Sequence, residues 1–333
     1  MEAFAYTNTK KEIYNSSSGG AFIELCRTFE RVYGSGNVAF CGAELMPDMT
    51  VRHNIVFSAE ACHRFQGSKY VKSQTSGINK DIELLLQEGK AVLFSGTPCQ
   101  VFALNKYLDT KGINKEDFLS IDIICHGAPD VKIWNVYTDW LQGKMHSKLI
   151  DYSFRYKKVG WMGYPAYAKF ENGRELIDTR ETSVYSKLHL LGYSVTKGCF
   201  NCPFANIDRK GDITLGDFWG IEDEKLDIEI RDGVSLVLTN SNFGKKIVDG
   251  MKGKKVAVLG DGFLKHQHNL LKPTAMPERY HEFWNDIQTE SFEKVLQKYL
   301  KYNTIYAFKY ALKKIAKQTG MLVYYRKLKM KMR

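Results

Sequence analysis

Cys199 and Cys202, in the stretch Lys197–Gly220 that opens "KGCFNCPF", stand three positions apart. That spacing lets two thiolates reach one metal ion or one iron–sulfur cluster without strain. They supply half of a coordination sphere. The chain holds seven cysteines without framework spacing, which argues against a secreted disulfide scaffold and for ligands, reactive thiols or buried apolar groups. Two of them sit where a second half could form: Cys99 follows "AVLFSG" in "GTPCQ", and Cys125 ends "SIDIIC". In an open α/β sheet, ligands collect at the carboxyl ends of the strands, and right-handed crossovers bring successive ends to one edge. Cys99, Cys125, Cys199 and Cys202 are therefore expected to form a four-thiolate site if the "CFNC" loop closes over that edge. Pro98 would place Cys99 in the first turn of a helix, where the dipole favours a thiolate. A free thiol at Cys99 and a core role for Cys125 stay open. Cys26, Cys41 and Cys62 fall in helix or strand patterns and read as core.

A second constellation is "SSSGG" at Ser16–Gly20, small residues opening a helix, with Ser17 or Ser18 as its cap. Free backbone N–H groups there suit a phosphate, although the same letters also serve an ordinary turn. Ser68 and Lys69 in "QGSKYVKS", and Ser95, Gly96 and Thr97 beside Cys99, would complete a site for a nucleotide-bearing redox cofactor. His126 is a candidate proton donor or outer contact of the cysteine site. Asp212 and Asp217, five apart on one strand, are unsuited as a catalytic pair. No phosphate-binding Walker loop, dinucleotide glycine fingerprint or hydrolase elbow is present, which argues against phosphoryl transfer and triad hydrolysis.

The elements that must position these residues read as α/β. Short apolar strands ("NVAFCGAEL", "AVLFSG", "FLSIDIIC") alternate with helices ("INKDIELLLQEG", "PCQVFALNKYL"), as in a parallel sheet. After Ile150 the pattern becomes antiparallel, with a hairpin turn at Asn172 and Gly173, followed by strands in "DITLGDFWG" and "VSLVLTN". Three regions are expected: an α/β domain at 1–149, a mixed, β-rich α+β domain at 150–290 carrying the Cys-x-x-Cys loop, and a basic helical tail at 291–333. Twelve of the 48 basic residues and none of the 37 acidic ones lie from Lys294 onward, so the net charge of +11 belongs to the tail and the body is near neutral. This distribution argues against nucleic acid as a partner. Interleaved Lys and aromatic residues suit an amphipathic helix pair on an anionic membrane surface, with ordinary packing on the chain's own domain as the alternative. Neither a signal peptide nor a spanning helix is read, so a cytoplasmic protein is expected, with a membrane-peripheral position open to the tail.

Eight segments, "SSSGGAF", "GSKYVKS", "LFSGTPCQVFAL", "DIICHGAPD", "FRYKKVGW", "GCFNCPFA", "RKGDITLGDFWGI" and "GVSLVLTN", run in order from Ser16 to Asn240. In them the chain resembles the coenzyme F420 hydrogenase/dehydrogenase beta-subunit family of iron–sulfur flavoproteins. The resemblance implies a [4Fe–4S] cluster on Cys99, Cys125, Cys199 and Cys202. It also implies a flavin, FAD rather than FMN, among Ser17, Ser18, Gly19, Gly20, Lys69, Ser95, Gly96 and Thr97. The expected activity is oxidoreduction between a ferredoxin-like or reduced-cofactor donor and an organic substrate. Relatives in surface-polysaccharide gene sets suggest a sugar-linked one. The dense ferredoxin-like cysteine segment that many members carry before "SSSGG" has no counterpart here, which puts the donor on a separate partner. A zinc-closed non-catalytic scaffold and a polysaccharide-assembly transferase without redox chemistry are the rival readings.

Overall fold

The computed structural model describes residues 1–161, 163–303, 310, 312 and 315. Eleven strands are formed among the described residues: β1 Glu2–Thr7, β2 Val38–Leu45, β3 Val51–Val56, β4 Ala91–Gly96, β5 Phe118–Ile123, β6 Leu149–Ser153, β7 Tyr167–Phe170, β8 Glu175–Ile177, β9 Ile213–Asp217, β10 Ser235–Thr239 and β11 Lys254–Val258. The helices are α1 Lys10–Asn15, α2 Ala21–Tyr33, α3 Ile78–Gln87, α4 Pro98–Thr110, α5 Val131–Met145, α6 Arg180–Leu190, α7 Asn242–Asp249, α8 Tyr280–Thr289 and α9 Phe292–Leu300.

Eight strands form one mixed sheet in the order β11-β1-β10-β9-β5-β4-β2-β3, with a parallel block from β9 to β2. It is an α/β fold, as the strand–helix alternation predicts. Period-two alternation packs both faces. In β4, Val92 and Phe94 point to a core with Ile82, Val101 and Leu104 of α3 and α4, while Ala91 and Leu93 meet Ile23, Phe29 and Ile247 of α2 and α7. Cys26, Cys41 and Cys62 are fully buried in these cores. β6, β7 and β8 form a second, antiparallel sheet, and Gly173 at φ +82° closes the β7–β8 turn. This sheet packs with α5, α6, α8 and α9 around Trp134, Tyr137 and Tyr185.

The main sheet draws β1–β5 from one side of residue 149 and β9–β11 from the other. The break in sequence pattern at 149 is therefore not a break between sheets, because β9 inserts beside β5 across some 90 residues of chain. The start of the basic tail takes up the packing alternative. Phe292, Val295, Leu296, Tyr299 and Leu300 of α9 are buried in the second core at helical spacing, so this helix packs on its own protein. Most of the tail beyond Asn303 lies outside the described residues. No helix among the described residues is long and apolar enough to cross a membrane.

Candidate functional site

Cys99 stands in the first turn of α4, where Thr97 is the cap and Pro98 the first helical residue. The Thr97 N–H donates to Gln100 Oε1 at 2.9 Å, and Thr97 Oγ1 lies 3.1 Å from Cys99 Sγ. Cys125 leaves the end of β5, one parallel strand along. The Cys199–Cys202 loop folds onto this edge through main-chain bonds: Asp130 N–H donates to Ser194 O (2.8 Å), Thr196 N–H to Ala128 O (2.9 Å), and Pro129 bridges Val195. Gly127, at φ +98°, allows the closure. A Cβ there would lie 2.6 Å from Val195 Cγ1 and 3.3 Å from Cys199 Cβ.

The loop leaving Cys202 is fixed by Arg209. Its fully buried guanidinium donates to Asp122 Oδ1 (2.9 Å), Ile123 O (3.1 Å) and Phe204 O (3.1 Å), so one group binds the chain two residues before Cys125 and two after Cys202. Asp122 Oδ2 accepts from the N–H groups of Lys210 and Gly211.

Two of the four thiols are shifted by burial and by their neighbours. Burial pushes Cys125 up to about 12, with Cys199, Cys99 and Cys202 adding to the rise. Burial also raises Cys199, against the Ala128 N–H and with help from Cys99 and Cys202. Among the described residues, however, no three Cys, His, Asp or Glu side chains are gathered tightly enough to hold a single metal ion. A tetrahedral zinc with Zn–S bonds of ~2.3 Å would draw its sulfurs together more closely.

The Ser16–Gly20 loop reaches the same edge from β1. β1 is antiparallel to β10 and β10 to β9, so Tyr6, Ser235 and Asp217 stand abreast, and Ile123 of β5 pairs with Leu215 two residues before Asp217. Gly19 is required by close approach, since a Cβ would lie 2.1 Å from Tyr6 O and 2.5 Å from Ser235 N. Gly20, at φ +82°, caps α2, not Ser17 or Ser18, because the chain turns through the left-handed region that glycine favours. The serines bond elsewhere: Ser17 Oγ accepts from the Ser68 N–H (2.7 Å), and Ser18 Oγ donates to Val234 O (2.7 Å).

Three cations surround this loop. Lys69 donates to Phe65 O (2.7 Å) and Gln66 O (2.8 Å), Lys157 to Ser18 O, and Arg155 weakly to Ser17 O (3.4 Å). Burial lowers both Lys69 and Lys157 to about 7. Burial also works against the Arg155 charge, but Asp217 at 2.8 Å and the Tyr70 hydroxyl outweigh it and hold the guanidinium above its ordinary value. Asp217 is ion-paired with Arg155, while Glu44 also acts on Lys69 and Asp232 on Lys157. Arg155 Nε is buried without a partner. Aromatic rings wall the site: Trp161 stacks on Trp219 at 5.2 Å, and Arg155 lies 4.5 Å over Tyr164.

Ser95, Gly96 and Thr97 end β4 beside Cys99, and Ser95 O accepts from His53 Nε2 at 3.1 Å, which leaves His53 Nδ1 buried without a partner. His126, next to Cys125, is exposed, and its main-chain oxygen accepts from Thr274 Oγ1 at 2.6 Å. Cysteine and cationic groups therefore share one edge. Sequence reading missed Arg155, Lys157 and Asp217, although "FRYKKVGW" and "DITLGDFWG" put unpaired cations, tryptophans and an acid in otherwise apolar segments. Asp212 serves structure, accepting from Ser120 N–H and Oγ and from Ser241 Oγ. A cavity of about 660 Å³ lies elsewhere, on the flank between α4 and α7, and is lined by Phe102, Lys106, Lys115 and Asn240.

This is an α/β protein with a thiol-rich ligand edge. A model of the family described as the C terminus of the coenzyme F420 hydrogenase/dehydrogenase beta subunit matches residues 89–261, and the chain belongs to that family. Its members are oxidoreductase subunits, so at that coarse level the chemistry is redox. All four candidate cysteines, Arg155 and Asp217 lie inside the match, whereas Ser17–Gly20 and Lys69 precede it. Among solved structures, a chain of the F420-reducing [NiFe] hydrogenase complex from Methanosarcina barkeri aligns at 16% identity with a TM-score of 0.48, covering 90% of each chain. No curated protein matches significantly.

Proposed function

We propose that the chain is a flavin- and iron–sulfur-dependent oxidoreductase whose four cysteines hold a [4Fe–4S] cluster and whose Ser16–Gly20 edge holds FAD. One observation carries the reading: Cys99 at the end of β4, Cys125 at the end of β5, the Cys199–Cys202 loop folded onto them and a cationic, aromatic-walled cradle share a single sheet edge. Zinc in a closed scaffold would need all four sulfurs drawn onto one ion, whereas a cluster takes one cysteine at each of its four irons. The cradle fits the other group. Arg155 Nε is buried without a partner and Lys157 reaches the Ser18 carbonyl, so an anionic phosphate at this edge would meet a free donor and positive charge, which favours a phosphate-bearing flavin over a bare ring.

When bound, the two groups would supply one-electron exchange and hydride chemistry. The chain's own residues do the positioning. Arg209 and Asp122 hold the Cys202 loop against the end of β5, Gly127 lets Cys199 approach, and Gly19 brings the phosphate loop onto β1 and β10. Asp217 orients Arg155 and accepts from Trp161 Nε1 at 3.1 Å. A sugar-linked organic substrate, a cytoplasmic setting and an anionic membrane surface for the tail remain part of the proposal. Anaerobic reconstitution with iron, sulfide and FAD tests it: stoichiometric uptake supports the reading, and stoichiometric zinc with no flavin supports the scaffold instead.

A further inference from the structure

We propose that the surface around Cys99 is the docking face for a small acidic protein electron carrier. The inference rests on the redox reading of the four cysteines. Cys99 is the exposed member of the set, the other three being half-buried. Electron transfer weakens steeply with distance, so a carrier gains by docking where a cluster ligand reaches the surface. The adjoining surface is apolar. Phe102, one turn along α4 and 38% exposed, lies 5.2 Å from Phe204, two residues past Cys202, and the two rings join the helix to the cysteine loop.

The rim is cationic. Lys106 lies 5.9 Å from the Phe102 ring. Lys197 is exposed two residues before Cys199, and exposed Lys72 is tied by its N–H to Pro129 O at 2.9 Å, in the loop that receives Cys199. Nearby acids are engaged chiefly by other cations, Asp109 by Lys115 with Lys106 acting on it more weakly and Asp208 by Lys210, so the rim keeps a positive excess. An apolar centre with a positive rim selects an acidic partner and steers its approach. Each encounter oxidises the carrier's iron–sulfur centre by one electron. Two encounters and one solvent proton supply one hydride equivalent.

The test uses the reconstituted full chain and a small acidic two-cluster bacterial ferredoxin. Binding of the oxidised ferredoxin is measured by calorimetry across ionic strength, and reduction by the reduced ferredoxin or by methyl viologen is followed by stopped flow. The triple variant Lys72→Glu, Lys106→Glu, Lys197→Glu is expected to bind at least about tenfold more weakly at low salt and to be reduced by ferredoxin about tenfold more slowly. Its reduction by methyl viologen should be unchanged, and Lys106→Glu alone should show a smaller shift in the same direction. Wild-type affinity that ignores salt, or a triple variant that binds like wild type, overturns the docking face while leaving the redox reading intact. Failure of methyl viologen to reduce the wild type overturns the redox reading itself.

Discussion

Asp122→Asn isolates the device that spaces two of the cysteines. The side chains of Asp122 and Arg209 are both buried, and Asp122 receives the guanidinium on one oxygen and two main-chain N–H groups on the other. The amide keeps the shape but leaves the Arg209 charge unmatched in a dry site. Breaking a buried pair from one side costs roughly 3–5 kcal/mol. An unfolding entropy of about 2.1 cal/mol/K per residue makes this roughly 1.4 °C per kcal/mol for a chain this long, so the unfolding midpoint should fall by about 4–7 °C. The loss is also local, because the same guanidinium binds Ile123 O and Phe204 O, two residues from Cys125 and Cys202. Circular dichroism melting should be paired with iron content after anaerobic reconstitution. Arg209→Lys keeps the charge, loses the fork, and should also lose iron. A midpoint within about 2 °C of wild type with full iron retention in both variants would refute the argument.

Serine at Cys99, Cys125, Cys199 or Cys202 should lower bound iron and sulfide after reconstitution, whereas Cys26→Ser should leave both near wild type in whatever fraction folds; iron and sulfide assays decide. Gly19→Ala forces a methyl against Tyr6 O and Ser235 N, so it should cost about 1–3 kcal/mol and reduce flavin uptake, read by melting and by equilibrium dialysis. Lys69 and Lys157 are held near 7 against an ordinary 10.5. Between those values the unfolded chain binds more protons, so the cofactor-free protein should gain stability as pH rises from 7 toward 9, and a falling midpoint over that range would contradict the lysine assignments. A phosphate-bearing flavin, which favours charged lysines, should bind more weakly over the same range, as fluorescence titration would show.

Local pattern made the parallel block legible. β2, β4 and β5, helices α3 and α4, and the strands at Ile213 and Ser235 follow from apolar runs, Pro98 and turn residues. The Asn172–Gly173 turn follows from its dipeptide. What sequence pattern could not supply was long-range pairing. β9 enters beside β5 from about 90 residues away, and β1, six residues at the start, acquires its place only from β10 and β11. The cap of α2 was misassigned to serine because composition favours it, while the close approach to Tyr6 and Ser235 demands glycine. Arg155 and Lys157 were hidden in a segment that alternates like a strand, yet the chain after Ser153 leaves the sheet and carries both cations to the serine loop. Their role depends on Asp217 and on the carbonyls of Ser17 and Ser18, none of them a sequence neighbour.

The most direct test is to purify the chain anaerobically and quantify iron, sulfide, zinc and acid-released flavin in one sample. The account predicts roughly four iron and four sulfide per chain with about one FAD. About one zinc with neither sulfide nor flavin, in a correctly folded protein, would contradict it.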